Sequence, residues 1–338
     1  MPKATLRLVA ERAGVAAITA SRILNGSRTA SPIASATRER VEAAARELGY
    51  RVDSSARAMR QQRSGQVGAI LVNRGGDLLT NPSAFEFVMG LNAGLGEDGL
   101  LLSLVRIQEV EAAESPMAIR ALDERLFDGF VVISHLPPSI LARLEQQAET
   151  TVWLDTDVDR PTCCVRRDEQ HAAHAALELL LARRRRILWP VRPPDYLRGH
   201  YSHVERDAAV RARCATLGVT LVPVPLGGAG DPNALAPLAA ALSSGPDAGL
   251  LLNDPSLARV CLGMLAERGV VPGRDLGIAC CDADAQLAQQ WPALSRVQVA
   301  RDSLGRQAGR MLATLIREPA APPPSLLITS PVVPGKTA

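Results

Sequence analysis

The chain has 338 residues, of which 47% are hydrophobic and only 3% aromatic, so it is long enough for two or three domains with aliphatic cores. No stretch of about 18 apolar residues is free of breakers, which argues against a membrane span. The N-terminus has no apolar signal core, so a cytosolic location is expected. The six cysteines show no Cys-x-x-Cys spacing, which predicts small buried hydrophobes rather than a disulfide framework or a metal site.

Positive charge is concentrated at the start of the chain. Residues 1–63 hold 12 Arg or Lys and 5 Asp or Glu, a net charge of +7, whereas the rest of the chain carries −4. A basic first segment on a mildly acidic body is typical of proteins whose first domain contacts phosphates.

The first predicted elements are two short helices within residues 5–25. Val9 and Ile23 can face inward, and Ala10 is small enough for a second helix to cross closely. Gly14 can adopt the positive φ that a sharp turn between the helices requires. Together these features predict a helix-turn-helix, whose second helix lies in the DNA major groove.

The next segments are a third helix and a polar linker. The apolar spacing over residues 37–48 predicts a helix that Gly49 ends. Residues 51–64 are polar and basic. A helix of about eight residues is unstable in isolation, so residues 53–60 are expected to be mobile in the free protein and helical only on DNA.

From residue 66 the chain alternates buried strands and helices, the latter for example at 168–182, 204–217 and 256–268. This alternation predicts parallel sheets with helices on both faces. Two lobes are expected, with a ligand site between the carboxyl ends of their strands. The predicted strands span 67–72, 100–105, 130–133, 151–154, 187–191, 219–224, 249–252 and 277–281.

Several short motifs match one known family. With them the chain resembles the lactose-repressor (LacI/GalR-type) family of bacterial transcription regulators, and the resemblance covers nearly its whole length. The head motif consists of Thr5-Leu6, Val9-Ala10, Ala13-Gly14-Val15, Thr19, Ser21 and Asn25, followed by Thr37-Arg38-Glu39-Arg40-Val41 and Leu48-Gly49-Tyr50. The body motifs are Asp128-Gly129-Phe130-Val131-Val132, Asn253-Asp254 and Pro292-Ala293-Leu294.

The resemblance implies a multidomain protein. It has an all-α helix-turn-helix DNA-binding head over residues 1–50 and a hinge helix or linker over 51–64. A two-lobed α/β body, similar to periplasmic binding proteins, follows over 65–338 and serves effector binding and dimerisation. The lobes are expected at 66–160 plus 295–330, and at 161–294.

The resemblance also assigns DNA contacts. By family position Ala17 and Ile18 read bases, with Arg22 a turn later. Arg22 can bond a guanine bidentately, although a phosphate contact is an alternative reading. Groups flanking the groove are expected to contact the DNA backbone, and a hinge segment is expected in the minor groove. The backbone group comprises Thr5, Ser21, Asn25 and Arg28, and the hinge group comprises Ala56, Arg57 and Met59, of which Met59 stands where the family has a wedging leucine.

The head departs from the family at two buried or capping positions. Ala16 stands where the family usually has a serine, so the hydroxyl N-cap of the second helix is absent, at a cost of about 1 kcal/mol. Ala20 stands where the family usually has a branched apolar residue, which removes core volume. Neither change abolishes DNA binding in principle.

An effector site is implied in the body. By family position Arg206 anchors a polar effector, and Asp254 and Asp282 accept sugar hydroxyls. A helix cap or a surface ion pair is the alternative reading for each. The family often has two aromatic residues after an Asn-Pro, but Ser83 and Ala84 follow Asn81-Pro82 here. Trp153 is a candidate replacement for this stacking surface.

Two functions follow from these observations. The first is a transcription regulator, most simply a repressor that binds a palindromic operator as a dimer through its body, not as a tetramer. A sugar-like effector between the lobes would control it, with no cofactor, metal or enzymatic activity. The second is a small-molecule-binding module or a degenerate α/β enzyme without operator binding. The identity of the effector, and whether it induces or corepresses, stay open.

Overall fold

The computed structural model divides the chain into two compact units, Met1–Gly65 and Gln66–Ala338. None of the helices it describes is long and apolar enough to cross a membrane. The structure describes residues 4–25, 33–52, 58, 62–73, 82–108, 116–134, 136–147, 150–193, 200–228, 231, 233–242 and 248–338.

The first unit contains three helices, α1 (Leu6–Ala13), α2 (Ala17–Leu24) and α3 (Ser35–Glu47). Gly14 ends α1 with a φ of 65°, which confirms the predicted turn. The predicted inward face is also confirmed, because the core holds small and branched aliphatic side chains from all three helices. This core comprises Val9, Ala10, Ala13, Ala20, Ile23, Val41, Ala44 and Ala45.

The second unit contains two six-stranded sheets. The first has the order β11-β5-β4-β3-β1-β2 and the second β12-β10-β9-β8-β6-β7. All pairings are parallel except β10 with β12. The strands are β1 (Gln66–Asn73), β2 (Leu101–Gln108), β3 (Gly129–Ile133), β4 (Thr151–Leu154), β5 (Cys164–Arg167), β6 (Arg186–Val191), β7 (Thr220–Pro225), β8 (Ala248–Leu252), β9 (Gly277–Ala283), β10 (Ser295–Gln298), β11 (Leu326–Ile328) and β12 (Val332–Val333).

Helices cover the two sheets and define two lobes. The first lobe contains the first sheet with α4, α5, α6 and α12, and the second lobe contains the second sheet with α7 to α11. The helices are α4 (Pro82–Gly96), α5 (Pro116–Asp123), α6 (Pro138–Gln147), α7 (Glu169–Leu181), α8 (Tyr201–Leu217), α9 (Ala236–Leu242), α10 (Pro255–Glu267), α11 (Ala285–Gln290) and α12 (Arg301–Arg317).

The chain passes between the lobes three times. It crosses after β5, between β10 and α12, and between β11 and β12. The predicted lobe limits differ from this arrangement at two strands. Cys164–Arg167 was expected in the second lobe but pairs in the first sheet, and Ser295–Gln298 was expected in the first lobe but pairs with β9. Which strands pair depends on contacts between residues distant in the sequence, and local sequence patterns do not contain that information.

Helices α4 and α12 pack with their backbones in direct contact. A Cβ atom added at Gly90 would overlap the carbonyl oxygen of Asp302, and one at Gly305 would overlap that of Phe87. Glycine is therefore required on both helices for this close approach. The pair forms one wall of the first-lobe core, and the first residue of α12, Arg301, lies at its interlobe end.

The six cysteines are all free and buried. Burial raises the pKa of the Cys261 thiol to about 12, and burial likewise raises that of Cys281 to about 12. These thiols are neutral at physiological pH and lack the thiolate that reactive cysteines need. They pack as small hydrophobes, as the sequence predicted.

Candidate DNA-binding surface and interlobe site

The predicted base-reading residues lie together on one exposed face of α2. Ala17, Ile18 and Arg22 are all exposed, and Ile18 has 63% of its surface accessible. The opposite face of α2 holds Ala20 and Ile23 in the core of the head. A large apolar side chain and a guanidinium thus project from a helix that the core holds in place.

Three of the predicted backbone-contacting residues make local hydrogen bonds. The Thr5 hydroxyl accepts from the backbone N–H of Leu8 at 3.4 Å and caps α1. The Asn25 amide donates to the Ser21 carbonyl at 2.7 Å and to the Ser21 hydroxyl at 3.1 Å. The structure therefore gives these side chains a role in shaping the helix ends. Arg28 and the hinge residues Ala56, Arg57 and Met59 lie outside the described residues.

The second helix starts without a side-chain cap. Ala16 occupies the N-cap position in an extended conformation, and no side chain accepts a hydrogen bond there. This agrees with the missing hydroxyl noted in the sequence. The smaller core residue Ala20 is completely buried, so the head closes around it.

In the body, six charged side chains meet between the lobes and are named here the charge cluster. Asp155, Arg167 and Arg301 belong to the first lobe, whereas Glu169, Arg206 and Asp282 belong to the second. At most 5% of each residue is accessible to solvent. The cluster lies where the chain crosses between the lobes, since Arg167 ends β5 and Arg301 begins α12.

Asp282 is the centre of the cluster. Its Oδ2 accepts from Arg167 Nη1 at 2.8 Å, from Arg206 Nη2 at 3.0 Å and from Arg301 Nη2 at 2.7 Å. Burial alone would raise the pKa of Asp282, but the charges of the three arginines hold it well below its usual value. The carboxylate is therefore ionised and bonds arginines of both lobes.

Arg167 and Arg206 each also pair with a carboxylate of their own lobe. Arg167 donates to the two carboxylate oxygens of Asp155 at 2.8 and 3.1 Å. Arg206 donates to the two carboxylate oxygens of Glu169 at 2.5 and 2.9 Å. Arg206 also donates to the backbone and side-chain oxygens of Asn253 at 2.7 and 2.9 Å. All five N–H groups of Arg206 thus have acceptors within the protein.

Asp155 is held in place from the second lobe as well. Its Oδ1 accepts from the Tyr201 hydroxyl at 2.6 Å, and its carbonyl oxygen lies 3.0 Å from His200 Nε2. The residue has a φ of 55°, a left-handed conformation that costs a non-glycine residue about 1–3 kcal/mol. The surrounding contacts stabilise this conformation, which directs the carboxylate at Arg167.

The four predicted effector residues are brought together only in part. Arg206 and Asp282 are in direct contact, as described above. Asp254 caps α10 by accepting from Leu257 N at 2.9 Å and pairs with Arg192 at 3.2 Å. Trp153 lies in the first-lobe core with 3% of its surface accessible, and Arg160 stacks on its ring. The structure therefore places Trp153 in packing and not in the charge cluster.

Four members of the cluster were missed by the sequence analysis: Asp155, Arg167, Glu169 and Arg301. The sequence contains no local signal for them, because the strand that carries Arg167 holds two arginines and does not read as an apolar run. Among the described residues, no group of three or more His, Cys, Asp or Glu side chains could hold a metal ion. The cluster joins the lobes through ion pairs.

Comparison with known proteins identifies both units. Residues 5–53 match the family model "Bacterial regulatory proteins, lacI family", and residues 183–338 match "Periplasmic binding protein-like domain". The transcriptional regulator PtxS of Pseudomonas plecoglossicida is 29% identical over 282 residues, which is 83% of this chain and 79% of that protein.

Solved structures show the same fold. The lac repressor dimer bound to operator and the anti-inducer ONPF superposes with a TM-score of 0.77 at 20% identity, covering 99% of both chains. The complex of the regulator CelR with cellobiose gives a TM-score of 0.66 at 21% identity, covering 99% of this chain and all of that one. By these matches the chain is a DNA-binding transcription regulator, with a head like that of the lacI family and a periplasmic binding protein-like body.

Proposed function

We propose that this protein is a repressor that binds a near-palindromic operator as a dimer. The observation that carries the proposal is the exposed face of α2, where Ala17, Ile18 and Arg22 project from a helix fixed by the core of the head. Arg22 can donate two hydrogen bonds to a guanine, and Ile18 offers an apolar contact to a thymine methyl group. Because a bacterial regulator must reach chromosomal DNA, we expect the protein in the cytoplasm.

The remaining head residues are proposed to position the helix rather than to read sequence. Thr5, Ser21 and Asn25 lie at helix ends, and with Arg28 they would contact the DNA backbone. Ala56, Arg57 and Met59 would form the minor-groove hinge. A methionine inserted between base pairs would bend the DNA by partial unstacking.

Dimerisation through the body is supported by exposed apolar side chains. On the first lobe, Phe85 and Met89 on α4 and Leu101 and Leu104 on β2 are between 46% and 65% accessible, and Val260 on α10 of the second lobe is 55% accessible. The strand β2 ends the first sheet. A second copy that covered these side chains would give the two-fold symmetry that a palindromic operator requires.

The effector is proposed to be a small, sugar-like molecule that binds between the lobes. Arg206, Asp254 and Asp282 lie at the carboxyl ends of strands or on helices beside them, where ligands of open parallel sheets bind. The cellobiose complex of CelR, which has the same fold, supports a polyhydroxylated ligand. Trp153 is not included because its ring is buried in the core.

The test is an electrophoretic shift of the full chain on DNA from upstream of its own coding sequence. We expect a salt-sensitive shift that a single palindrome explains, and a much weaker one on a half-site of that palindrome. Equal binding to the palindrome and to random DNA would overturn the proposal. Unchanged transcription from the bound promoter after deletion of the protein would reject the repressor role.

A further inference from the structure

The charge cluster is neutral as a whole but divided unevenly between the lobes. The first lobe contributes Arg167, Arg301 and Asp155, a net charge of +1. The second lobe contributes Arg206, Glu169 and Asp282, a net charge of −1. Within the cluster, each lobe alone would therefore hold an unbalanced charge, and contact between the lobes removes it.

Asp282 is the second-lobe carboxylate that bonds both first-lobe arginines of the cluster, and Arg167 Nη1 also lies 3.1 Å from Glu169 Oε1. Arg167 has Asp155 as its own partner within that lobe, whereas the carboxylate that Arg301 bonds, Asp282, comes from across the interface. Arg301 Nη2 donates to both oxygens of Asp282, at 2.6 and 2.7 Å. The Nη1 atom of the same guanidinium is buried and has no hydrogen-bond partner among the described residues. One donor of this buried arginine thus lacks an acceptor.

We propose that Arg167 and Arg301 form a site for the carboxylate or phosphate group of a small anionic effector, and that Asp282 occupies this site when no effector is bound. The inference rests on the proposed function and specifies the ligand class of its interlobe site. The free Nη1 donor of Arg301 gives an oxyanion one hydrogen bond that Asp282 does not make.

Charge explains why an anion is required. A ligand that enters between Asp282 and the first lobe must replace a carboxylate bonded to two buried guanidinium groups. A neutral hydroxyl would leave the first lobe with its net positive charge, whereas an oxyanion restores neutrality and makes charge-assisted bonds. Neutral sugars therefore compete poorly with Asp282 at this position.

The same geometry predicts what binding does to the lobes. Asp282 lies on β9 of the second lobe, so an anion on the first-lobe arginines breaks the pairs that Arg167 and Arg301 make with it across the lobes. The ligand and Asp282 then repel each other. Glu86 of the first lobe makes a separate contact, accepting from Ala285 N of the second lobe at 2.8 Å, and would lose it as the lobes part. Anion binding is thus expected to favour an open body.

The experiment titrates the full chain with three matched probes, D-glucose, D-gluconate and D-glucose 6-phosphate, by isothermal calorimetry. We expect at least one of the two anions to bind about tenfold or more tightly than glucose, a ratio equal to about 1.4 kcal/mol. Comparing gluconate with glucose 6-phosphate distinguishes a carboxylate from a phosphate. Hydrogen exchange of residues 282–285 should increase with the anion that binds.

Variants separate the anion site from general stability. Arg301→Gln should weaken anion binding about tenfold or more, whereas Arg310→Gln on the same helix, which removes a surface pair with Glu97, should not. Asp282→Asn should strengthen it, because the internal competitor loses its charge. A variant that only loosened the fold would weaken binding instead. Should Asp282→Asn fail to fold, Arg301→Lys, which keeps the charge, should bind more tightly than Arg301→Gln.

Three results would overturn the inference. In the first, glucose binds as tightly as both anions. In the second, folded Asp282→Asn loses anion binding. In the third, no probe binds either the wild-type protein or that variant. Operator shifts are measured on the same preparations. If the protein still shifts operator DNA in any of these cases, the anion site is rejected but the proposed repressor function is not. Failure of the anion site and failure of the repressor function are therefore distinguishable.

Discussion

Two arginines in this protein illustrate opposite uses of the same side chain. Arg22 on α2 is exposed and has no hydrogen-bond partner among the described residues. Arg206 in the body is 1% accessible, and all five of its N–H groups have acceptors within the protein. The N–H groups of Arg22 are available to a nucleic acid, whereas those of Arg206 all bond neighbouring elements of the protein.

The comparison shows that an arginine at a family binding position is not by itself a free ligand group. Both Arg22 and Arg206 were assigned to binding from the sequence. Burial and saturation separate them, because a saturated buried guanidinium can bind a ligand only by giving up existing bonds.

Removing the centre of the charge cluster should have the largest effect. Asp282→Ala leaves three buried arginines without their shared carboxylate and is expected to destabilise the body by about 3–5 kcal/mol. Urea unfolding followed by tryptophan fluorescence reports the body alone, since Trp153, Trp189 and Trp291 all lie in it. Glu97→Ala, which removes an exposed pair with Arg310, is the control and should change little.

Acid should weaken the same cluster progressively. The pKa values of Asp155 and Asp282 are well below the ordinary 3.8, because arginine charges outweigh burial, which alone would raise them. Their stabilisation is complete above about pH 5 and declines as the pH falls through the unfolded value towards the lower folded ones. Urea unfolding between pH 3 and 7 should show this decline, and Asp282→Asn should flatten it. Parallel curves for the two proteins would contradict the assignment.

Arg22→Ala should alter specificity without altering stability. Loss of a bidentate base contact is expected to cost about 1–3 kcal/mol on the operator and much less on random DNA. Arg12→Ala is the matched control, since Arg12 is an exposed arginine of the head that pairs with Glu47. Titration with operator and with random DNA distinguishes a base contact from a phosphate contact. Equal loss of affinity for the two DNAs would make Arg22 a phosphate contact.

The smallest effect concerns the uncapped start of α2. Ala16→Ser supplies a hydroxyl that can accept from a backbone N–H in the first turn, and should stabilise the helix by about 1 kcal/mol. Slower hydrogen exchange of the amides of α2 in the full chain would show it. Ala17→Ser places the same hydroxyl one residue beyond the N-cap and should not give this gain. Identical exchange rates in the two variants would reject a capping role.

The sequence predicted most of the fold through local signals. Gly14 and Gly49 mark turns with positive φ, and Thr151–Leu154 forms a strand with the limits that its apolar run predicts. The strand Cys164–Arg167 was missed because two of its four residues are arginines. Their burial depends on carboxylates that are distant in the chain, and a local pattern does not contain that information.

The candidate sites were predicted to different extents for the same reason. The resemblance singled out Ala17, Ile18 and Arg22, and helical spacing is enough to put them on one face of α2. The charge cluster requires knowing which strand ends meet. Arg301 is 19 positions beyond Asp282, and nothing in the intervening residues indicates that their side chains touch.

The glycine contact between α4 and α12 has a consequence for how the lobes can separate. Because the two backbones touch at Gly90 and Gly305, neither helix can slide or tilt without the other. Glu86 lies on α4 and Arg301 begins α12, so these two interlobe contacts are carried by one rigid unit. They should break together rather than one at a time. Arg167 and Asp155 contact the second lobe separately, from β5 and from the end of β4. A ligand that displaces Arg301 from Asp282 would then also weaken the Glu86 contact, and would shift the equilibrium between joined and separated lobes.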